Sequence, residues 1–187
     1  MLKMSDTYRM NNDQPTPTDN QHIREKIIDY LSRQGFSEKK LLQKVTDLKK
    51  HYPQTARYRF YTPEHVQKVL DALKDIGLVD DAKYCRDVLR QLQDRKDGLY
   101  RIKDKMRRRL IPANIIESVL QEWKQSGVEQ DYTAIIRETK RKHERLKEKF
   151  PSTQGKYTVK QKLYAFLAQK GYGADEIKEI LRRTMTQ

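Results

Sequence analysis

The sequence predicts an all-α fold, arranged as an elongated array of three tandem three-helix repeats. Apolar residues recur at the three- and four-residue spacing of helices, and runs of β-branched residues that favour a sheet are few. The chain is 36% hydrophobic and 35% charged, with a mean hydropathy of −1.00. This composition is lean for one deep core, whereas repeats that each bury a narrow stripe need less apolar sequence.

The repeat becomes visible when the sequence is shifted along itself. A shift of 50 residues moves Val66 onto Ile116 and Gly77 onto Gly127, and a shift of 61 residues moves Ile116 onto Ile177. Each position receives an equivalent residue type, which indicates duplicated units. The predicted organisation is a disordered N-terminal arm over residues 1–19, a first repeat over 20–76, a second over 77–126 and a third over 127–187.

In the first repeat, Asn20 is the predicted cap of the opening helix and Ser37 the cap of the next. An inserted loop, 49–62, follows that second helix and interleaves cations with aromatic residues, a combination that suits base stacking with phosphate contact. The same aromatic residues could instead pack the loop onto neighbouring helices. Both interpretations stay open.

The second repeat has the clearest pattern. Gly77 ends the preceding helix, because glycine takes a left-handed conformation without steric cost. Asp80 or Asp81 then caps the next helix, a role that suits this pair better than acid–base chemistry. Further on, Ile102, Met106 and Leu110 are predicted to face inward from the repeat's second helix, and Pro112 to lie in the first turn of its third.

The third repeat opens with a predicted long basic helix from Asp131 to Phe150. It could be a lone arm that reaches along a partner, or a solvated face with ion pairs between neighbouring turns. A loop over 151–155 precedes a predicted helix over 156–169, and Gly171 to Gly173 separates that helix from the last one.

The middle repeat also contains three distinctive patterns: the run GLVDDAKYC from Gly77, the pattern G-x-x-RI-x-x-KM from Gly98, and IPANIIESVL from Ile111. In these residues it resembles the RecX family. The family-motif positions are Gly77, Asp80, Asp81, Tyr84, Ile102, Met106 and Ile116. Membership would imply a regulator that binds filaments of the recombinase RecA on DNA, lodges in their groove, and restrains ATP hydrolysis, strand exchange and filament extension.

We find no pattern typical of a catalytic, metal or cofactor site, and we expect a non-enzymatic protein. The four histidines are scattered, and the sequence lacks a P-loop, a G-x-S-x-G motif and paired C-x-x-C motifs. Cys85 is predicted to be a small core residue. A single cysteine and the absence of a long apolar run favour a cytoplasmic protein without a membrane span.

The net charge of +14 favours a polyanionic partner. The densest basic cluster is 101–109, in which Arg101, Lys105 and Arg108 share a helical face and could contact a partner or simply keep the protein soluble. All three are predicted to project from the face opposite Ile102 and Met106, so replacing them with glutamate should spare the fold. The candidate partner- or nucleic-acid-binding residues are Arg101, Lys103, Lys105, Arg107, Arg108, Arg109, Arg137, Lys140, Arg141, Lys142, Arg145, Lys156, Lys160 and Lys162.

Three functional hypotheses follow. The first is a monomeric RecX-like regulator of RecA filaments, with contact to single- or double-stranded DNA as an additional possibility. The second is a stand-alone DNA- or RNA-binding helical protein, and the third is a scaffold for an acidic protein tail. The third has no specific sequence feature in its favour.

Overall fold

The computed structural model describes residues 16–126 and 131–185. Within these ranges all regular structure is helical, with a 3₁₀ turn at Ala56–Tyr58. No helix in the described ranges is both long and apolar enough to span a membrane. The helices are α1 (Pro17–Arg33), α2 (Glu38–His51), α3 (Pro63–Asp75), α4 (Asp81–Asp94), α5 (Leu99–Arg108), α6 (Ala113–Gln125), α7 (Thr133–Lys149), α8 (Thr153–Gln169) and α9 (Ala174–Met185).

The helices group in threes, and each group has its own apolar cluster. Ile23, Leu41 and Leu70 are fully buried among α1, α2 and α3. The cluster of α4–α6 includes Ile102 and Met106, and the cluster of α7–α9 includes Ile135, Leu163 and Ile177. The prediction of three-helix repeats is therefore confirmed. By compactness, the chain divides into one unit of Met1–Asp81 and a second of Ala82–Gln187, which holds the second and third repeats.

The start of α1 corrects the sequence prediction. Thr16 is its N-cap: the Thr16 hydroxyl accepts a hydrogen bond from the Asp19 N–H, while the Asp19 carboxylate accepts one from the Thr16 N–H at 2.9 Å. Pro17 suits the first helical position, since it has no N–H that needs a partner. The predicted cap at Asn20 and the disorder predicted for 17–19 are thus wrong. The rest of the predicted arm, residues 1–15, lies outside the described residues.

The end of α5 is a second correction. The helix stops at Arg108, and Leu110 adopts a positive φ of 59°, so Leu110 does not continue the buried stripe. Ile111 enters the core instead, with only 4% of its surface exposed. Pro112 is the N-cap of α6 rather than part of its first turn. The cap predicted at Ser37 is confirmed, because its side chain accepts a hydrogen bond from the Lys40 N–H.

The third repeat also differs from its prediction at the helix ends. The basic helix α7 begins at Thr133, and α8 begins at Thr153, where Ser152 accepts a hydrogen bond from the Gly155 N–H. The loop predicted to last to residue 155 is therefore shorter. Helix α7 packs against α8 and α9, so it is not a lone arm. The predicted repeat boundary at Gly127 lies outside the described residues.

Candidate functional site

The basic row on α5 surrounds a buried carboxylate. Asp97 lies just before α5, and only 5% of its side chain is exposed. Its two oxygens contact two members of the row: Oδ1 is 3.2 Å from Nε of Arg101, and Oδ2 is 2.5 Å from Nζ of Lys105. A buried carboxylate needs such partners, because an unpaired charge in the interior is costly. Two cations that the sequence assigned to a partner thus already hold an internal acid.

The same place joins the second repeat to the third. The Gly98 N–H donates to the Lys170 carbonyl at 2.9 Å, and the Tyr100 N–H donates to the Gly171 carbonyl at 3.1 Å. These bonds satisfy free N–H groups at the start of α5 with carbonyls that follow α8. Arg101 adds a bond from its guanidinium to the Gln169 carbonyl at 3.1 Å.

Two glycines allow this close approach. A Cβ placed on Gly98 would lie 2.3 Å from the Gly171 carbonyl carbon, and a Cβ on Gly171 would lie 2.4 Å from Cβ of Arg101. Gly171 also has a φ of +88°. Any side chain at either position would push the two backbones apart, so both glycines are required by the junction.

The other cations of the 101–109 cluster have varied surroundings. Arg108 pairs with Asp104 at 2.9 Å on an exposed surface, and Lys103 pairs with Glu117 of α6. Arg107 is exposed, and Arg109 is partly buried. The predicted cluster is therefore largely engaged within the protein. Reversal of charge at Arg101 and Lys105 would leave Asp97 buried beside like charges, so we now expect it to destabilise the fold rather than spare it.

Helix α7 presents a different basic surface. Arg137, Arg141 and Arg145 follow each other at four-residue intervals and are all exposed. Glu144, on the same helix, pairs with Lys147 at 3.4 Å. The opposite side of α7 is buried in the third core. An anionic partner can therefore bind these three arginines without breaking ion pairs to a buried acid, unlike Arg101 and Lys105 on α5.

Several lysines of the third repeat lie along the seam between α7 and α8. The ammonium of Lys142 is 4.7 Å from the centroid of the Phe166 ring, and that of Lys162 is 5.4 Å from the Phe150 ring. Lys170 also approaches Phe166 and pairs with Glu138 at 3.2 Å. These cation–π contacts hold the cations at the seam. Lys140 is partly buried, whereas Lys156 and Lys160 are exposed on α8.

The inserted loop of the first repeat packs mainly onto the protein. Tyr61 is 2% exposed, and its ring packs against Tyr58 with centroids 5.0 Å apart. Burial raises the pKa of the Tyr61 hydroxyl. Arg59 lies 5.4 Å from the Phe60 ring. Tyr58 and Phe60 are partly buried, whereas Tyr52 is 56% exposed. Three of the four aromatic residues in this loop therefore pack onto the protein, as one of the two interpretations predicts.

The acidic pair of the family motif also has a structural role. The Asp81 carboxylate accepts a hydrogen bond from the Glu38 N–H at 2.8 Å, so it caps the start of α2 from a distance in sequence. Burial raises the pKa of Asp81. Asp81 thus has a capping role, but the helix that it caps is α2 and not α4, the helix that the sequence predicted.

The described residues also include the side chains considered for metal and thiol chemistry. They contain no group of three or more potential metal-ligating side chains. Cys85 is buried, with its Sγ 3.9 Å from the Met106 sulfur. A cleft of about 610 Å³ lies between α5, α6 and the start of α9, and the residues that line it include Tyr100, Lys103 and Glu117 but neither histidine nor cysteine.

Sequence reasoning missed two features of this unit. The role of Asp97 had a weak signal, namely an acid four residues before Arg101, but its burial depends on the contact with Gly171. The second feature is the outer face of α8, where Tyr157 is 67% and Tyr164 43% exposed. Its signal was plain in the sequence, since α8 contains lysines but no acidic residue.

Comparison with known proteins gives one consistent family. Residues 129–181 match the model described as RecX, third three-helix domain. Regulatory protein RecX of Prosthecochloris aestuarii is 23% identical over 168 residues, which cover 89% of this chain and 86% of that protein. Regulatory protein RecX of Deinococcus radiodurans is 31% identical over 120 residues, which cover 64% of this chain and 52% of that protein.

The fold agrees with a solved structure. The crystal structure of RecX from Lactobacillus salivarius superposes with a TM-score of 0.68 at 19% identity, covering 92% of this chain and 100% of that one. At this identity the similarity concerns the fold. It supports the prediction of tandem three-helix repeats from the sequence periodicity.

Proposed function

Because this chain belongs to the RecX family, we propose that it is a cytoplasmic regulator that binds RecA–DNA filaments and slows RecA ATP hydrolysis, strand exchange and filament extension. It acts as a monomer and by binding alone, without a cofactor. The observation that carries the proposal is the family similarity, which extends over most of the chain in both sequence and fold.

The charge distribution supports a polyanionic target. The chain has a net charge of +14, and a surface of that sign attracts nucleic acid and acidic protein surfaces. The arginine row of α7, Arg137, Arg141 and Arg145, is exposed along a helix whose other side is buried. We assign the main filament contact to this row, because the α5 row is occupied by Asp97.

The test is RecA ATP hydrolysis on single-stranded DNA with increasing amounts of this protein. Inhibition at amounts well below those of RecA would support the proposal, because one bound molecule can stop the extension of a filament by many protomers. Inhibition that requires saturation of the DNA, and that excess DNA relieves, would favour the stand-alone DNA-binding protein. An unchanged rate at every ratio would refute both inhibitory mechanisms.

A charge-matched pair of variants locates the contact. We expect Arg137→Gln, Arg141→Gln and Arg145→Gln together to weaken inhibition. The control removes the same charge from exposed lysines of the first repeat, with Lys39→Gln, Lys49→Gln and Lys68→Gln. If the two triple variants lose inhibition equally, only net charge matters and the assignment to α7 is wrong.

A further inference from the structure

The outer face of α8 combines exposed aromatic rings with cations. Tyr157 is 67% exposed and Tyr164 is 43% exposed, so both side chains present a large area to solvent. Lys156 and Lys160 are exposed on the same helix. On the other side of α8, Val159, Leu163 and Leu167 are buried in the third core, so the tyrosines face away from it.

The spacing places the rings in one line. Tyr157, Lys160 and Tyr164 are separated by three and four residues, which puts them on one stripe of a helix. Seven residues at 1.5 Å each separate the two tyrosines by about 10.5 Å along the axis. This distance is about three times the 3.4 Å rise between stacked nucleotides in one DNA strand. A single strand that follows the stripe could therefore stack one base on each ring.

The charge of α8 fits the same ligand. Its 17 residues include three lysines and no aspartate or glutamate, although 35% of the whole chain is charged. An acid on this face would repel phosphates, and none is present on the helix. Exposed alanines, Ala165 and Ala168, continue the face towards the end of α8 without bulky or charged groups.

We propose that the α8 face formed by Tyr157, Lys160 and Tyr164, with Lys156 beside it, binds single-stranded nucleic acid by base stacking and phosphate contact. Aromatic side chains on a basic surface bind single strands in a manner that tolerates many sequences, because every base has a π-face. The contact involves nucleic acid alone, so it does not depend on the proposed regulation of RecA. A protein partner is the competing occupant, and the test below separates the two.

The experiment measures binding of the full chain to a fluorescent oligothymidylate by anisotropy, without RecA. Each stacked base contributes about 1–3 kcal/mol, which is roughly fivefold or more in affinity. Because the two losses multiply, we expect Tyr157→Ala with Tyr164→Ala to weaken binding by about 25-fold or more. Tyr157→Phe with Tyr164→Phe should retain it, since the rings remain. Tyr100→Ala is the control, because Tyr100 is 70% exposed on α5 in the same unit.

Two further measurements distinguish stacking from general electrostatic attraction. An abasic strand of equal length keeps its phosphates, so the wild type should bind it as weakly as the double alanine variant binds oligothymidylate. With Lys156→Gln and Lys160→Gln, the dependence of log affinity on log salt should fall by about 0.7 for each phosphate that the protein no longer neutralises. The tyrosine variants should leave that slope unchanged.

The proposal is overturned if the double alanine variant, with unaltered helical content, binds oligothymidylate as well as the wild type does. It is also overturned if Tyr100→Ala loses as much affinity, or if the abasic strand binds as tightly as the normal one. If the double alanine variant no longer inhibits RecA but still binds oligothymidylate as the wild type does, the face binds a protein partner instead. Failure of the wild type to inhibit RecA would leave the strand-binding result fully interpretable.

Discussion

Removal of both cations around Asp97 should destabilise the second unit more than removal of Asp97 itself. Arg101 and Lys105 are 43% and 28% exposed in their side chains, so either can regain water if the acid is lost. Asp97 is only 5% exposed and cannot. Loss of one side of a buried ion pair costs about 3–5 kcal/mol when the remaining charge stays buried. We expect that cost for Arg101→Ala with Lys105→Ala.

The single change Asp97→Ala should cost less, about 1–2 kcal/mol, because it removes charge-assisted hydrogen bonds but leaves no buried charge. The triple variant, which lacks the acid and both cations, should be more stable than the variant that lacks only the cations. This non-additivity is the signature of a buried carboxylate. Arg108→Ala is the surface control, and it should change stability by no more than about 0.5 kcal/mol.

Urea denaturation followed by tryptophan fluorescence measures these changes. Trp123 is the only tryptophan, and it packs against the core of the second repeat. If the free energy of unfolding falls by about 2 kcal/mol per molar urea, a destabilisation of about 4 kcal/mol lowers the midpoint of unfolding by about 2 M urea. A double cation variant as stable as Arg108→Ala, or a triple variant no more stable than the double, would refute the argument.

A further prediction concerns the pH dependence of stability. Burial lowers the pKa of His143, helped by Lys147 and opposed by Glu144, so the folded second unit binds fewer protons than the unfolded chain. The free energy of unfolding should therefore fall as the pH drops below about 6.5. Urea titrations at several pH values should show a weaker pH dependence of this free energy for His143→Leu than for the wild type. An equal pH dependence in the two proteins would contradict the prediction.

The apolar periodicity predicted much of the fold because each repeat buries a stripe set by local spacing. Ile102, Met106 and Ile116 are buried as that spacing requires. Helix ends were harder to place. The capping box of Thr16 and Asp19 that begins α1 lies in a proline-containing stretch that looked like a loop in the sequence. Leu110 failed as a core residue because its left-handed backbone ends the stripe.

The candidate site was less predictable, because sequence shows how many charges are present but not what they contact. Arg101 and Arg137 look alike in the sequence, yet one pairs with a buried acid and the other is exposed. The difference arises from Gly98 and Gly171, which lie 73 positions apart in the sequence and whose contact places α5 beside the end of α8. The exposure of Tyr157 and Tyr164 is more local, because both lie off the apolar stripe of Val159, Leu163 and Leu167 that helical spacing defines.

The contact between Gly98 and Gly171 also affects the thermodynamics of binding. With backbone against backbone and hydrogen bonds on both sides of the contact, the second and third repeats have no flexible spacer between them at this point. A ligand that touches both α5 and α8 therefore meets surfaces whose separation is already fixed. It orders little protein on binding, so less conformational entropy is lost and more of the contact energy appears as affinity.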